Sequence, residues 1–332
     1  MLHIQNTMLK DFCYHVYQTF RPDVAVDLGT ANTRIAPLRG HTMTESPSTC
    51  GDTEALRAGV VVNTYAAAEV LRPAFHRFRT LGILRPRVLA CAPSDTTDNE
   101  RQAVIESCYD AGAAAVALLP EPVAAAIGDG VDIQTAPATL IMDIGDGVTD
   151  CALIRDGRLL LASARRVACS NFHRAVQSLA CDRYGVQISL CEARRNTEAV
   201  GMETPAMDEA GLPILARVSV EGTSLRTGQR ETVHIPLGLV QEAFAPIAAE
   251  IAQTAWTLVA ELHSALRQEA RKSGLRLTGG GALLPGATEF IEQRTGMPVQ
   301  RVQRPLESVV GGAKALLPLA AQQNLWKGVI RL

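Results

Sequence analysis

A strand that ends in a carboxylate and turns at once on a glycine occurs twice in this chain, and the two copies share one frame. Val24-Ala25-Val26-Asp27-Leu28-Gly29-Thr30-Ala31-Asn32-Thr33 and Ile141-Met142-Asp143-Ile144-Gly145-Asp146-Gly147-Val148-Thr149 hold Asp, Gly and Thr at the same relative positions. In each, a buried strand delivers its Asp to a tight turn. The glycine there permits positive φ and a close approach of backbone N–H groups to an anion. One copy alone reads equally well as an ordinary glycine turn with a capping Asp. Two matched copies point to facing turns that clasp a polyphosphate in a cleft between related halves. Carboxylates beside phosphates repel them unless a cation intervenes. A hydrated Mg²⁺ serves, with Asp27 and Asp143 holding its waters while the metal neutralises phosphate oxygens.

At 332 residues, 47% hydrophobic and 20% charged, the chain is long enough for two domains with separate cores. A net charge of −2 supplies no basic field of the kind that drives nucleic-acid binding, so nucleic acid is excluded as a partner class. The eight cysteines show no Cys-x-x-Cys spacing, and several sit in apolar runs such as Val88-Leu89-Ala90-Cys91. They read as reduced, buried thiols of a cytosolic protein rather than a disulfide frame or zinc site. No apolar run approaches the ~20 residues that span a bilayer. The first twenty residues lack the basic start, apolar core and small-residue cleavage site of a signal peptide.

Along the chain, Leu2, Leu9, Phe12, Val16 and Phe20 fall at helical spacing and predict an amphipathic helix over 1–21. Its aromatic stripe suits either a membrane interface or packing against protein, and with Lys10 and Asp11 as its charges, attraction to anionic lipid is slight. Strands at 24–26, 34–36 and 87–92, with helices over 64–79, 98–111 and 123–127, argue for an α/β domain. Pro122 suits the first position of the last of these helices. A second domain is expected from Ala138, with strands at 140–142 and 151–154 and a hairpin turn at Asp156-Gly157. Helices are predicted near 172–184 and 192–200, then a small subdomain near 185–236 and a long helix over 239–270 kinked at Pro246.

Two further elements carry chemistry. Thr278-Gly279-Gly280-Gly281-Ala282 follows a strand-like run and would let a nucleoside approach the backbone. Glu121, bracketed by Pro120 and Pro122, either orients the water that attacks a γ-phosphate or is a helix-start Glu favoured by the macrodipole.

In this order, the two hairpins, the Pro-Glu-Pro corner, the Thr-Gly-Gly-Gly-Ala turn and the tail Gly311-Gly312-Ala313-Lys314 resemble the actin/Hsp70/sugar-kinase superfamily. Within it the chain looks most like the MreB family of bacterial actins. The resemblance implies duplicated actin-like (ribonuclease H-like) α/β domains with a nucleotide cleft between them. Domain I would be 22–137 plus about 305–330, and domain II 138–304. It also implies ATP and Mg²⁺ as cofactors, weak ATPase activity, and filaments at the inner face of the cytoplasmic membrane that organise cell-wall synthesis and cell shape.

Carried across, Gly29, Thr30, Ala31 and Asn32 with Gly145, Asp146, Gly147 and Thr149 would hold phosphates. Asp27 and Asp143 would serve Mg²⁺, and Glu121 would position water. Glu198 would face the ribose, while Gly279, Gly280, Gly281 and Ala282 line the nucleoside. The expected partners are further copies of this chain or a full-length MreB, cell-wall synthesis proteins, and the membrane surface through residues 8–20, where Met8 is an alternative start.

Several departures stand out. The second turn has Asp146 and Val148 where MreB has glycine and threonine, as in the equivalent loop of eukaryotic actin. Ala168-Cys169-Ser170 stands where Gly-Gly-Asp is expected, and the ribose helix reads Arg194-Arg195-Asn196-Thr197-Glu198. The segment between the first hairpin and Pro86 is too short for the small subdomain IB, which is expected to be absent or vestigial. A non-catalytic or weakly catalytic scaffold that partners a full-length MreB is therefore the alternative to a filament-forming ATPase. A sugar kinase is a distant third.

Overall fold

The computed structural model describes residues 21–39, 42–134, 137–202 and 216–329. The expected helix over 1–21, with its membrane contact at 8–20, lies outside them except for Arg21. The chain divides into two compact units, one holding the residues up to Ala92, Thr96–Pro120 and the segment from Val310, the other Pro93–Asp95 and Glu121–Val309.

In the first unit β1 (Asp23–Leu28), β2 (Asn32–Pro37) and β3 (Thr44–Pro47) form an antiparallel meander. Two ribbons of two-residue strands follow, β4 (Thr49–Cys50) with β5 (Thr53–Glu54) and β6 (Leu56–Arg57) with β7 (Val60–Val61). Among the described residues these ribbons are the regular elements between β3 and helix α1 (Thr64–Arg77), the segment expected to be too short for subdomain IB. β8 (Arg87–Ala92), helix α2 (Asp98–Asp110) and β9 (Ala115–Pro120) complete the α/β pattern. Every residue of β1 and β8 is buried, as expected of parallel strands covered on both faces. Asn63 caps α1 by accepting the Ala66 N–H at 2.9 Å. Thr97 and Glu100 close a reciprocal capping box at the start of α2.

The second unit opens with α3 (Glu121–Gly128), then β10 (Thr139–Ile144), β11 (Thr149–Arg155), β12 (Arg158–Arg165) and α4 (Cys169–Tyr184). Asp156 and Gly157, at φ of 50° and 70°, make the β11–β12 turn, as the Asp-Gly pair predicts. β13 (Val186–Gln187), α5 (Leu190–Val200), β14 (Arg217–Ser224) and β15 (Arg230–Pro236) follow, with β13, β14 and β15 forming a small sheet of their own. Next come α6 (Leu237–Glu261), α7 (Ser264–Ser273), β16 (Leu275–Thr278), a single 3₁₀ turn at Gly280–Leu283, α8 (Ala287–Thr295) and β17 (Val299–Arg301). The chain ends through α9 (Ser308–Gln322) and β18 (Lys327–Val329), which pairs with β9.

Two expectations are corrected. α3 begins at Glu121 itself, so Pro122 occupies its second residue. The long helix is two, α6 and α7, parted where Leu262 and His263 turn extended, while Pro246 is carried inside α6.

The sheets run β3-β2-β1-β8-β9-β18 and β12-β11-β10-β16-β17. Order and direction match across the first five strands of each: two antiparallel pairings, then two parallel ones. The sequence repeat thus marks a duplication of the whole sheet, with β1 answering to β10 and β8 to β16. Each unit has its own core. Ile35, Leu71 and Phe75 are central to the first. Phe172 and Phe244, with ring centroids 4.8 Å apart, are central to the second. A buried ion pair ties β1 to β8 in the first unit. Arg87 donates to both carboxylate oxygens of Asp23, at 2.6 and 2.8 Å, with its guanidinium 4.5 Å above the Trp326 ring.

Candidate functional site

Asp27 comes next to last in β1, and the antiparallel ladder sets Arg34 directly across from it. The Arg34 guanidinium donates to Glu45 at 2.8 Å and stands 3.9 Å from the Asp27 carboxylate. Burial pushes the Asp27 carboxyl up to about 6, against the pull of Arg34 and with a smaller push from Glu45. The turn that follows is tight for a reason other than the one predicted. Neither Gly29 nor Gly145 has a positive φ. Instead, a Cβ at Gly29 would lie 2.8 Å from the Asn32 carbonyl oxygen, and one at Gly145 would lie 3.0 Å from that of Val148. The first turn folds back on itself too closely for a side chain, and the second leaves one little room.

The surroundings of each turn hold its carbonyl groups. Ser48, wholly buried, donates its hydroxyl to Gly29 O at 2.6 Å and its N–H to Ala31 O at 2.9 Å. The Gly59 N–H donates to Thr30 Oγ1 at 2.8 Å. In the second unit the start of α4 serves. Cys169 N–H donates to Gly145 O at 3.2 Å and Ser170 N–H to Asp146 O at 2.8 Å. Thr149 is wholly buried and gives its hydroxyl to Val167 O at 2.7 Å, so its side chain braces the turn.

Asp143 repeats the place of Asp27, but its partner across the ladder is Asp150 where Asp27 has Arg34. Like charges directly opposite are destabilising. Asp150 meets this by accepting two short bonds, from Ser94 N–H at 2.6 Å and Ser94 Oγ at 2.5 Å, and burial pushes its carboxyl up to about 7 despite those bonds. Sequence reasoning passed over both Asp150 and Ser94. The signal was there, since Asp150 occupies in the second copy of the repeat the place of Arg34 in the first.

The glycine-rich turn sits beside Asp143, whose parallel partner is Thr278. Gly279 has φ +81°, and a Cβ there would collide with the Asp143 carboxylate and the Ile144 carbonyl. A Cβ at Gly281 would collide with the Ile144 side chain, whereas at Gly280 it would meet only Leu306, at 3.9 Å. Gly279 and Gly281 therefore pack the turn onto β10, and Gly280 is the one with space beside it. Ala282 is buried.

Asp146 gathers a cluster that the sequence did not announce. The Arg194 guanidinium lies 3.9 Å and His173 Nδ1 3.8 Å from its carboxylate. Burial raises the Asp146 carboxyl, while Arg194 and Arg174 lower it. Burial, then the same two arginines, hold the imidazole of His173 down at about 4, so it is neutral. Along α5, Glu198 is exposed, whereas Asn196 is buried and donates to the Glu192 carbonyl at 2.8 Å. The charges of Asp146, Asp143, Arg194 and Glu198 all reach the Cys169 thiol, which burial pushes up to about 12. The second turn is thus held at the start of α4, through the Cys169 and Ser170 N–H groups. Glu121 is half-buried as the first residue of α3, and Gly147 is buried in the turn.

The family model for MreB/Mbl proteins matches residues 40–324. The chain belongs to the MreB/Mbl family. It is 29% identical to the cell shape-determining protein MreB of Escherichia coli K12, over 90% of this chain and 94% of that protein. It is 25% identical to the cell shape-determining protein Mbl of Bacillus subtilis 168, over 90% and 96% respectively. Among solved structures, MreB5 of Spiroplasma citri bound to AMPPNP superposes with a TM-score of 0.79 at 22% identity, covering 92% of this chain and 98% of that one. The MamK double helical filament gives 0.71 at 16% identity over 89% and 98%. These likenesses establish the actin-like α/β fold, on which this MreB-family chain carries both glycine turns.

Proposed function

We propose that this chain is an MreB-type cytoskeletal protein that binds ATP with Mg²⁺ through its two glycine turns and assembles into filaments that organise cell-wall synthesis and cell shape. The observation that carries this reading is the duplication of the turn itself. In both units an Asp stands next to last in a buried strand, a glycine lies close against a carbonyl three residues on, and neighbouring donors hold the turn's carbonyls. MreB5 of Spiroplasma citri has been solved with AMPPNP and with ADP, which supports a nucleotide as the ligand. MamK forms a double helical filament, which supports self-association.

Asp27 suits the metal, because its carboxyl is desolvated and its nearest guanidinium is committed to Glu45. Asp27 and Asp143 would hold a Mg²⁺ through its waters, and the ion would neutralise phosphate oxygens. Glu121 would orient the attacking water, and slow hydrolysis would loosen the polymer. Hydrolysis by full-length protein against Glu121→Ala tests the catalytic part. Equal turnover in the two would remove Glu121 from catalysis and favour the scaffold alternative. That alternative draws support from Asn196, whose side chain is turned into α5 in the helix expected to meet the ribose.

We also propose that the protein acts peripherally at the inner face of the cytoplasmic membrane. Support comes from the loop between α1 and β8, where Leu81 and Ile83 are 85% and 78% exposed, with Arg77 and Arg85 exposed nearby. Apolar tips beside basic groups suit an anionic interface. Sedimentation with anionic liposomes should fall for Leu81→Ser/Ile83→Ser and for a chain beginning at Pro22. Pelleting unchanged in both would count against the membrane.

A further inference from the structure

In the first unit, three hydrogen bonds from Ser48 and Gly59 to the turn Gly29–Ala31 end on acceptors of that turn: the carbonyls of Gly29 and Ala31 and the hydroxyl of Thr30. Peptide groups are planar, with C=O and N–H pointing opposite ways. Holding the Gly29 carbonyl therefore aims the Thr30 N–H to the other side, and holding the Ala31 carbonyl does the same for the Asn32 N–H. Ser48 makes two of the three contacts, and Thr33 Oγ1, 2.8 Å from its hydroxyl, fixes its rotamer.

The second unit repeats the device with different parts. The carbonyls of Gly145 and Asp146 are held by α4, and Thr149, which matches Thr33 in the repeat, bonds Val167. In both units the holding residues come just after the third strand of the meander. A helix start does the work in one, and a buried serine with a short ribbon in the other.

We propose that Ser48 is a positioning residue for the first phosphate turn, and that the β4–β7 ribbons are a fixed strut that holds this turn in binding geometry. The inference rests on the nucleotide reading above. The Ser48 hydroxyl does not itself meet the ligand. It acts through the peptide planes of Gly29 to Asn32, and so on the phosphates rather than the nucleoside.

The test is titration of the full chain and of Ser48→Ala with ATP and with adenosine. Loss of the hydroxyl is expected to weaken ATP roughly 3- to 10-fold, with adenosine unchanged. Equal weakening of both ligands, or of neither, overturns the proposal and leaves nucleotide binding standing. Failure of the unaltered chain to bind ATP overturns both. Should Ser48→Ala not fold, Ser48→Cys keeps the side chain's shape with a slightly larger, weaker donor. A lower ratio of ATP to adenosine affinity in that variant supports the strut, and an unchanged ratio overturns it.

Discussion

Gly279 and Gly280 are neighbours with opposite tolerances. Gly279 combines a positive φ with contact against Asp143 and Ile144, while a Cβ at Gly280 would make only an ordinary contact with Leu306. Gly279→Ala is expected to lower stability by about 2 kcal/mol or more, since it adds both backbone strain and a clash. Gly280→Ala should stay within about 0.5 kcal/mol of the parent. Thermal denaturation of the two variants checks the pair, and equal losses would contradict the packing described. Asp27 gives the residue-scale pH dependence. Its folded-state value of about 6 lies above the ordinary carboxylate range, so its contribution to stability is fully present below about pH 4 and is lost as pH rises through 6. Asp27→Asn should therefore be the more stable protein at pH 8 in EDTA, by on the order of 2 kcal/mol, and match the parent at pH 4. Denaturant titrations at the two pH values measure the difference. The same variant should lose Mg²⁺-dependent ATP binding.

At the scale of elements, the two meanders are built alike and braced differently. β1 and β8 are joined by the Arg87–Asp23 pair as well as by their ladder. Removing one partner strands a buried charge, so Arg87→Ala is expected to cost about 3–5 kcal/mol, read by denaturant unfolding. A loss below about 1 kcal/mol would show the pair to be dispensable. β10 and β11 instead set Asp143 opposite Asp150, and the loop carrying Ser94 makes that arrangement tolerable by donating two hydrogen bonds. Helix α4 acts on the second turn through its first N–H groups, which any helix leaves unsatisfied. Replacement of the Gly-Gly-Asp element by Ala168-Cys169-Ser170 does not prevent this, because the bonds come from backbone.

At the scale of the whole molecule, each unit carries one tryptophan: Trp326, buried, in the first and Trp256, half exposed on α6, in the second. If both turns take part in holding ATP, MgATP should raise the unfolding midpoint reported by each tryptophan, in Trp256→Phe and Trp326→Phe proteins followed by fluorescence. A rise in one alone would confine the site to that unit.

The paired Asp-x-Gly turns and the strand–helix alternation were legible in the sequence because they depend on local pattern: a strand's period and a turn's glycine. The sequence also carried the duplication, though only at the turns. Tertiary structure alone decided what Gly279 and Gly281 are for, since both are hemmed in by Asp143 or Ile144 of β10, far away in sequence, while Gly29 and Gly145 are crowded by carbonyls of their own turns. It likewise decided that Asp150 is held by Ser94, that Asp146 is gathered with His173 and Arg194, and that Ser48 braces the first turn. Hydrogen bonds and burial between residues far apart in sequence leave no period to read. For that reason the two turns were visible from the chain, and the means by which they are held was not.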